Sequence, residues 1–300
     1  MKTDNASKLS ENRVWGFAAV CGAIIAILLA ISVWYSPAGK SLLNRAEDSY
    51  YPAAVFKIPP EVLLERIATK SAATMRIPIV MYHYIEYVDK TKDPGRFNLA
   101  TSPFTLEKEI SSLKSAKYNF LFARDLPDFL SKKFSLPQRP VVLTFDDGYE
   151  DFYYYALPIL KKYHARGTIY IISDFIGRSG YLNLEQLKEI RDSGLVEIGA
   201  HSLSHAYLKG LKLETAKREI VDSKTKLESL LGIAVPSFAY PYGAFTKETL
   251  DLTRAAGFTN AVSVIPGVNQ SLENEYYLFR LRPGHLGWDN PEKSLEAYKL

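Results

Sequence analysis

The chain has a single cysteine in 300 residues, Cys21, so no disulfide can form within it and cysteine usage says nothing about redox compartment. Charge of one sign is not in large excess either: 37 Lys and Arg face 33 Asp and Glu, a net charge of +4. The basic residues are spread along the sequence, which excludes the concentrated basic face of a nucleic-acid binder, so no nucleic-acid partner is expected. There is no internal repeat and no low-complexity tract, which argues against a repeat array or a disordered linker. Aromatic residues, by contrast, are plentiful at 13%, with 20 tyrosines. The clusters Tyr153-Tyr154-Tyr155 and Tyr276-Tyr277 are read as packing residues.

Long apolar runs are scarce, and the longest covers residues 14–35, with no charge and one strongly polar side chain, Ser32. A helix of that length crosses a hydrocarbon core of roughly 30 Å. Trp15 lies near one end and Trp34 and Tyr35 near the other, where amphipathic rings prefer the interface. Cleaved signals usually have apolar stretches of about 7–15 residues ending at small residues. This run is longer and ends on bulky aromatics, which favours an uncleaved anchor. The expected organisation is a short cytoplasmic arm at 1–13, a transmembrane anchor at 14–35, an extracytoplasmic stalk at 36–74 and a large body at 75–300. The membrane is then a partner, and the location is the cell membrane, single-pass, with the body extracytoplasmic.

From Ile77 onward, short β-rich runs alternate with longer helical ones. The pattern predicts strands at 78–82, 120–122, 141–145, 168–172, 196–199, 237–239 and 261–264. It predicts helices at 105–117, 126–131, 154–164, 184–192, 213–231 and 247–256. Strand-then-helix repetition implies an α/β fold with a mostly parallel sheet, closed or nearly closed into a barrel, the alternative being an open doubly wound sheet. In either arrangement chemistry sits on loops leaving the carboxyl ends of strands. His83, Asp146-Asp147, His201–His205 and the segment 240–243 all follow predicted strands, so they converge on one rim.

Two adjacent carboxylates, Asp146 and Asp147, stand where a buried strand ends, with Gly148 permitting a turn behind them. Charge beside a sheet core is costly unless it is paired or holds a metal. Two imidazoles, His201 and His205, are four residues apart and share a face if the segment is helical. One carboxylate plus two histidines is a common zinc ligand set that leaves coordination open for water and substrate. Side chains alternate along extended backbone, so one aspartate can bind metal while the other faces the attacking water. His164 closes a helix in a solvated setting and is assigned no catalytic role.

These segments resemble the polysaccharide deacetylases with a NodB-type domain, carbohydrate esterase family 4. Thr144-Phe145-Asp146-Asp147-Gly148-Tyr149 is similar to the first motif of that family, His201-Ser202-Leu203-Ser204-His205 to the second, and Phe238-Ala239-Tyr240-Pro241-Tyr242-Gly243 to the third. The resemblance covers roughly residues 77–283 and implies a distorted (β/α)7-type barrel. It implies Asp146 as general base, Asp147, His201 and His205 as ligands of one divalent ion, expected to be Zn2+, and the Tyr242 backbone N–H as oxyanion donor. Many members carry arginine where this chain has Ala239; Arg280 or Arg282 is expected to substitute from a later strand. The usual terminal Leu-x-His motif is absent, leaving His285 or His83 as the general acid. The arginine arrangement and the segment 78–83 resemble the subgroup acting on poly-N-acetylglucosamine.

The implied function is metal-dependent N-deacetylation of an N-acetylglucosamine polysaccharide, either poly-N-acetylglucosamine or peptidoglycan, with release of acetate. Chitin-like or xylan substrates, a non-catalytic glycan-binding domain and a glycoside hydrolase are the alternatives. A glycoside hydrolase leaves the histidine pair unexplained.

Overall fold

A computed structural model of the chain describes residues 74–283 and Leu295. All of them fall in one unit, Tyr51–Leu300. The strands are β1 (Met75–Arg76), β2 (Ile79–Tyr82), β3 (Asn119–Leu121), β4 (Pro140–Phe145), β5 (Gly167–Ile171), β6 (Val196–Ala200), β7 (Ser237–Ala239), β8 (Asn260–Pro266), β9 (Asn269–Gln270) and β10 (Leu278–Arg280). The helices are α1 (Pro94–Phe97), α2 (Pro103–Ser115), α3 (Leu126–Leu130), α4 (Leu157–Tyr163), α5 (Leu184–Asp192), α6 (Leu213–Leu231) and α7 (Lys247–Ala255).

The main sheet runs β10-β8-β7-β6-β5-β4-β2, with every pair parallel. Its two edges meet. Leu281 bridges Val80, with Met81 N donating to Leu281 O and Leu281 N to Ile79 O, each at 2.8 Å. The sheet is therefore a nearly closed, distorted (β/α)7-type barrel, not an open doubly wound sheet. Strand β3 pairs with the lower part of β4, while β5 pairs with the upper end of β4 at Thr144 and Phe145.

Period-two alternation builds two cores. Ile79, Val142, Tyr170, Ala239, Val262 and Leu278 pack in one cluster, the barrel interior. Alternate residues such as Val80, Leu143, Ile169, Ile198 and Phe238 pack in the other, with Ile110 of α2, Leu187 of α5 and Ile220 of α6. Burial on both faces explains why the strands read as nearly continuous apolar runs. Gly199 is required inside: a Cβ there would lie 2.5 Å from the Tyr170 ring and 2.9 Å from Ser237 O.

Helix starts follow the capping residues. Ser102 Oγ accepts from Thr105 N at 3.1 Å, and Asn183 and Gln186 form a reciprocal box at the start of α5 with two 2.9 Å bonds. The expected helix over 154–164 differs at its start, where Phe152–Ala156 is a π-helical turn and α4 follows.

The expected transmembrane helix preceding the barrel is corrected. No helix among the described residues is long and apolar enough to cross a membrane. The run at 14–35, like the arm at 1–13 and the stalk expected at 36–74, lies outside or almost entirely outside the described residues. The fold class of the described residues is thus the barrel. The membrane as a partner, and the single-pass cell-membrane location with its extracytoplasmic body, have no support from any described helix.

Candidate active site

The carboxyl ends of five barrel strands supply the site. After β4 come Asp146 and Asp147, both buried. Asp146 N still donates to Tyr82 O at 3.0 Å, continuing the β2–β4 ladder. The chain then turns sharply, with Asp147 at φ 75° and Gly148 at φ 76°. Glycine is needed at 148, because a Cβ would meet the Ile171 side chain at 3.0 Å from a backbone that L-residues rarely adopt. The left-handed Asp147 is the costlier residue, and strain of that kind concentrates at functional sites.

After β6, His201 N donates to Ile171 O at 2.9 Å and the chain leaves the barrel as an irregular loop. The two histidines therefore do not share a helical face. Ser202 at φ 59° and His205 at φ 62° fold the loop back on itself, and His205 N donates to Ser202 Oγ at 3.0 Å. Glu219 on α6 holds the tip: Ser204 N and Ser204 Oγ donate to its carboxylate at 2.9 and 2.7 Å, and Leu203 N to its carbonyl at 3.0 Å. Sequence reasoning missed Glu219. Its signal was an acidic residue on the apolar face of a long helix.

Asp147 Oδ1 lies 3.3 Å from His201 Nε2 and 3.2 Å from His205 Nε2. That oxygen is buried and has no hydrogen-bond partner, a costly state that a cation relieves. The other ring nitrogens are occupied: His201 Nδ1 donates to Ala239 O at 2.8 Å, and His205 Nδ1 is 3.1 Å from Tyr242 Oη. A carbonyl can only accept, so His201 carries its proton on Nδ1 and turns the Nε2 lone pair inward. Such outer bonds fix the orientation of metal-ligating histidines. One ligand atom from each of the three residues lies within 4.8 Å of the others. The donor set thus fits a divalent ion. Burial pushes the Asp147 carboxyl up, but contact with His201 and His205 outweighs it and holds the group well below the usual carboxylate range.

Asp146 faces a different partner. Arg280, at the end of β10 and 1% exposed, donates from both terminal nitrogens to the two carboxylate oxygens at 2.7 Å each. It also donates to Ser263 O at 2.7 Å and Thr144 Oγ1 at 3.1 Å, so the fork cannot swing away. Burial raises the Asp146 carboxyl, yet Arg280, with His201 and His83, holds it below its ordinary value. His83 follows β2, with Nε2 4.0 Å from Asp146 Oδ2. Burial lowers its pKa from 6.5 to about 4 against the pull of both aspartates. Arg282 is half-buried and lines a small cleft with His83, Met81 and Thr101.

The geometry brings Asp146, Asp147, His201, His205, His83, Arg280 and Tyr242 to one rim. Tyr242 has φ 59° in the short turn Pro241–Gly243, and its ring centroid is 4.5 Å from that of His205. His285 lies outside the described residues.

Comparison with known proteins agrees with this site. The family profile "Polysaccharide deacetylase" matches residues 133–261. The chain is 30% identical over 220 residues to the "Putative polysaccharide deacetylase YxkH" of Bacillus subtilis (strain 168), covering 73% of this chain and 76% of that one. It is 29% identical over 212 residues to the poly-beta-1,6-N-acetyl-D-glucosamine N-deacetylase of Staphylococcus aureus (strain N315), covering 66% and 72% of the two chains. Among solved structures, the Streptococcus pyogenes deacetylase PplD in complex with acetate superposes with a TM-score of 0.70 at 29% identity, over 76% of this chain and 100% of that one. The chain belongs to the polysaccharide deacetylase family, and the Asp147–His201–His205 set makes it a metal-dependent member.

Proposed function

We propose that this protein hydrolyses the acetamide of N-acetylglucosamine units in poly-β-1,6-N-acetylglucosamine, releasing acetate and leaving free amines. The observation that carries the reaction is the division of the aspartate pair, with Asp147 among two inward-turned imidazoles and Asp146 forked by Arg280 beside them. The choice of polymer rests on the Staphylococcus aureus relative, whose name gives that substrate. Residues from 75 onward are read as the catalytic domain.

Zinc suits the site. Donors about 2.0–2.1 Å from a tetrahedral ion stand about 3.3 Å apart, close to the 3.2 and 3.3 Å separations of Asp147 Oδ1 from the two Nε2 atoms. A divalent ion held by Asp147, His201 and His205 would supply Lewis acidity to polarise the acetyl carbonyl and acidify water.

Asp146, kept ionised by Arg280, takes the proton of the attacking water. The Tyr242 backbone N–H donates to the oxygen that gains charge as the acetyl carbon becomes tetrahedral. His83 is neutral at rest, because burial lowers its pKa to about 4, so it can accept the proton from Asp146 across the 4.0 Å gap. It then gives that proton to the departing nitrogen as the C–N bond breaks. In a glycoside hydrolase two carboxyls flank the scissile bond about 5–9.5 Å apart; here each carboxylate is already committed to other partners.

Full-length protein loaded with metal tests the roles on acetylated glucosamine oligomers. Asp146→Asn should keep stoichiometric metal and lose acetate release by on the order of 10²–10⁴. Asp147→Ala should lose metal and activity together. An active Asp146→Asn protein, or Asp147→Ala protein that holds metal normally, contradicts the assignment. A parallel panel of β-1,6 and β-1,4 oligomers and peptidoglycan tests the polymer.

A further inference from the structure

Aromatic rings cluster at several places among the described residues. Tyr84 stacks on Tyr149, and Tyr149 meets Tyr181 at a tilt, but Tyr84 and Tyr149 are largely buried. Tyr153 and Tyr154 meet edge to face, with hydroxyls on Glu189 at 2.6 Å and Gln186 at 3.4 Å. Tyr207 differs. It is 52% exposed, and its ring centroid lies 6.0 Å from that of Tyr242, whose hydroxyl contacts His205 at 3.1 Å. A line of rings therefore runs from the metal set through Tyr242 to solvent.

The backbone holds Tyr207 in that position from both sides. His205, two residues before it, sits at φ 62° within the metal set. Leu208, the next residue, is 1% exposed and belongs to the main core. The segment is pinned while the ring itself stays uncovered. Tyrosine freezes only two side-chain torsions on binding and presents a large amphipathic face at low entropic cost. A ring so placed is expensive to leave bare and effective once covered.

We infer that Tyr207, backed by Tyr242, is the stacking platform for the sugar adjoining the unit that is deacetylated, an inference that rests on the deacetylase reading. A β-linked pyranose has C–H groups on its faces and hydroxyls at its edge, which matches a flat phenol with its polar tip outward. Tyr242 contacts both His205 and Tyr207, with ring centroids 4.5 and 6.0 Å away, and the exposed Tyr207 ring is placed to meet a neighbouring sugar while the metal set meets the reacting acetyl group. It thereby selects a polymer over a monosaccharide.

The test uses metal-loaded full-length protein, a β-1,6-linked N-acetylglucosamine pentamer and the monosaccharide. Tyr207→Ala should raise KM for the pentamer about tenfold with metal still stoichiometric, narrow the preference for pentamer over monosaccharide, and be rescued by Tyr207→Phe. An unchanged pentamer KM, an equal loss on both substrates, or failure of the phenylalanine to rescue overturns it. Pentamer affinity is measured separately by calorimetry in the Asp146→Asn background, which needs no turnover. Weaker binding on adding Tyr207→Ala supports the platform even where the wild-type protein releases no acetate and the deacetylase reading fails. Equal affinity overturns the platform itself.

Discussion

Arg280 is the residue on which the charge state of Asp146, the proposed base, depends. Its guanidinium makes two 2.7 Å bonds to Asp146 and is buried with it, so each charge is affordable only because of the other. The sequence offers both Arg280 and Arg282 as the substitute, with Arg280 taken as the site residue, because two residues apart on a strand share a face. Their difference appears only in the fold, where Arg280 ends β10 inside the barrel and Arg282 lies beyond the closing bridge. The metal residues were more legible, since an aspartate pair and a histidine pair after apolar strands have few cheaper explanations. Arg280→Leu should destabilise the protein by about 3–5 kcal/mol, because it strands a buried carboxylate. Adding Asp146→Asn should recover much of that loss in denaturant melts. A double variant no more stable than Arg280→Leu alone contradicts the pairing.

The loop after β6 shows where element-level reading stops. A four-residue spacing suggests one helical face, yet two left-handed residues, Ser202 and His205, achieve the convergence instead. Hydropathy carries no signal for such backbone, and the same limit hides the π-helical turn after Tyr149 and the short strands β1 and β9. The long helices and central strands were legible because their periodicity and caps agree with their burial. Glu219 is the element-scale support of the metal set: it takes two bonds from Ser204 and ties the loop tip to α6. Glu219→Ala should weaken metal affinity by on the order of 10–100-fold in chelator competition. Glu219→Gln should retain affinity, since an amide can accept from Ser204 N and donate to Ser204 Oγ. Unaltered affinity in the alanine variant contradicts the support.

At the scale of the molecule, barrel closure assembles the site. Leu281 joins β10 to β2, which brings Arg280 from late in the chain and His83 from early in it to the Asp146 carboxylate. Barrel topology was legible from the strand–helix alternation, but the seam was not, because it depends on two backbone bonds between segments about 200 residues apart. The central claim, that this rim is a metal-dependent deacetylase centre, is tested most directly by one measurement: acetate released from acetylated glucosamine oligomers by full-length protein before chelation, after chelation, and after a divalent ion is restored. Release that stops on chelation and returns with the ion is the expected result. Release that survives complete removal of metal, or none from fully metal-loaded protein, contradicts the account.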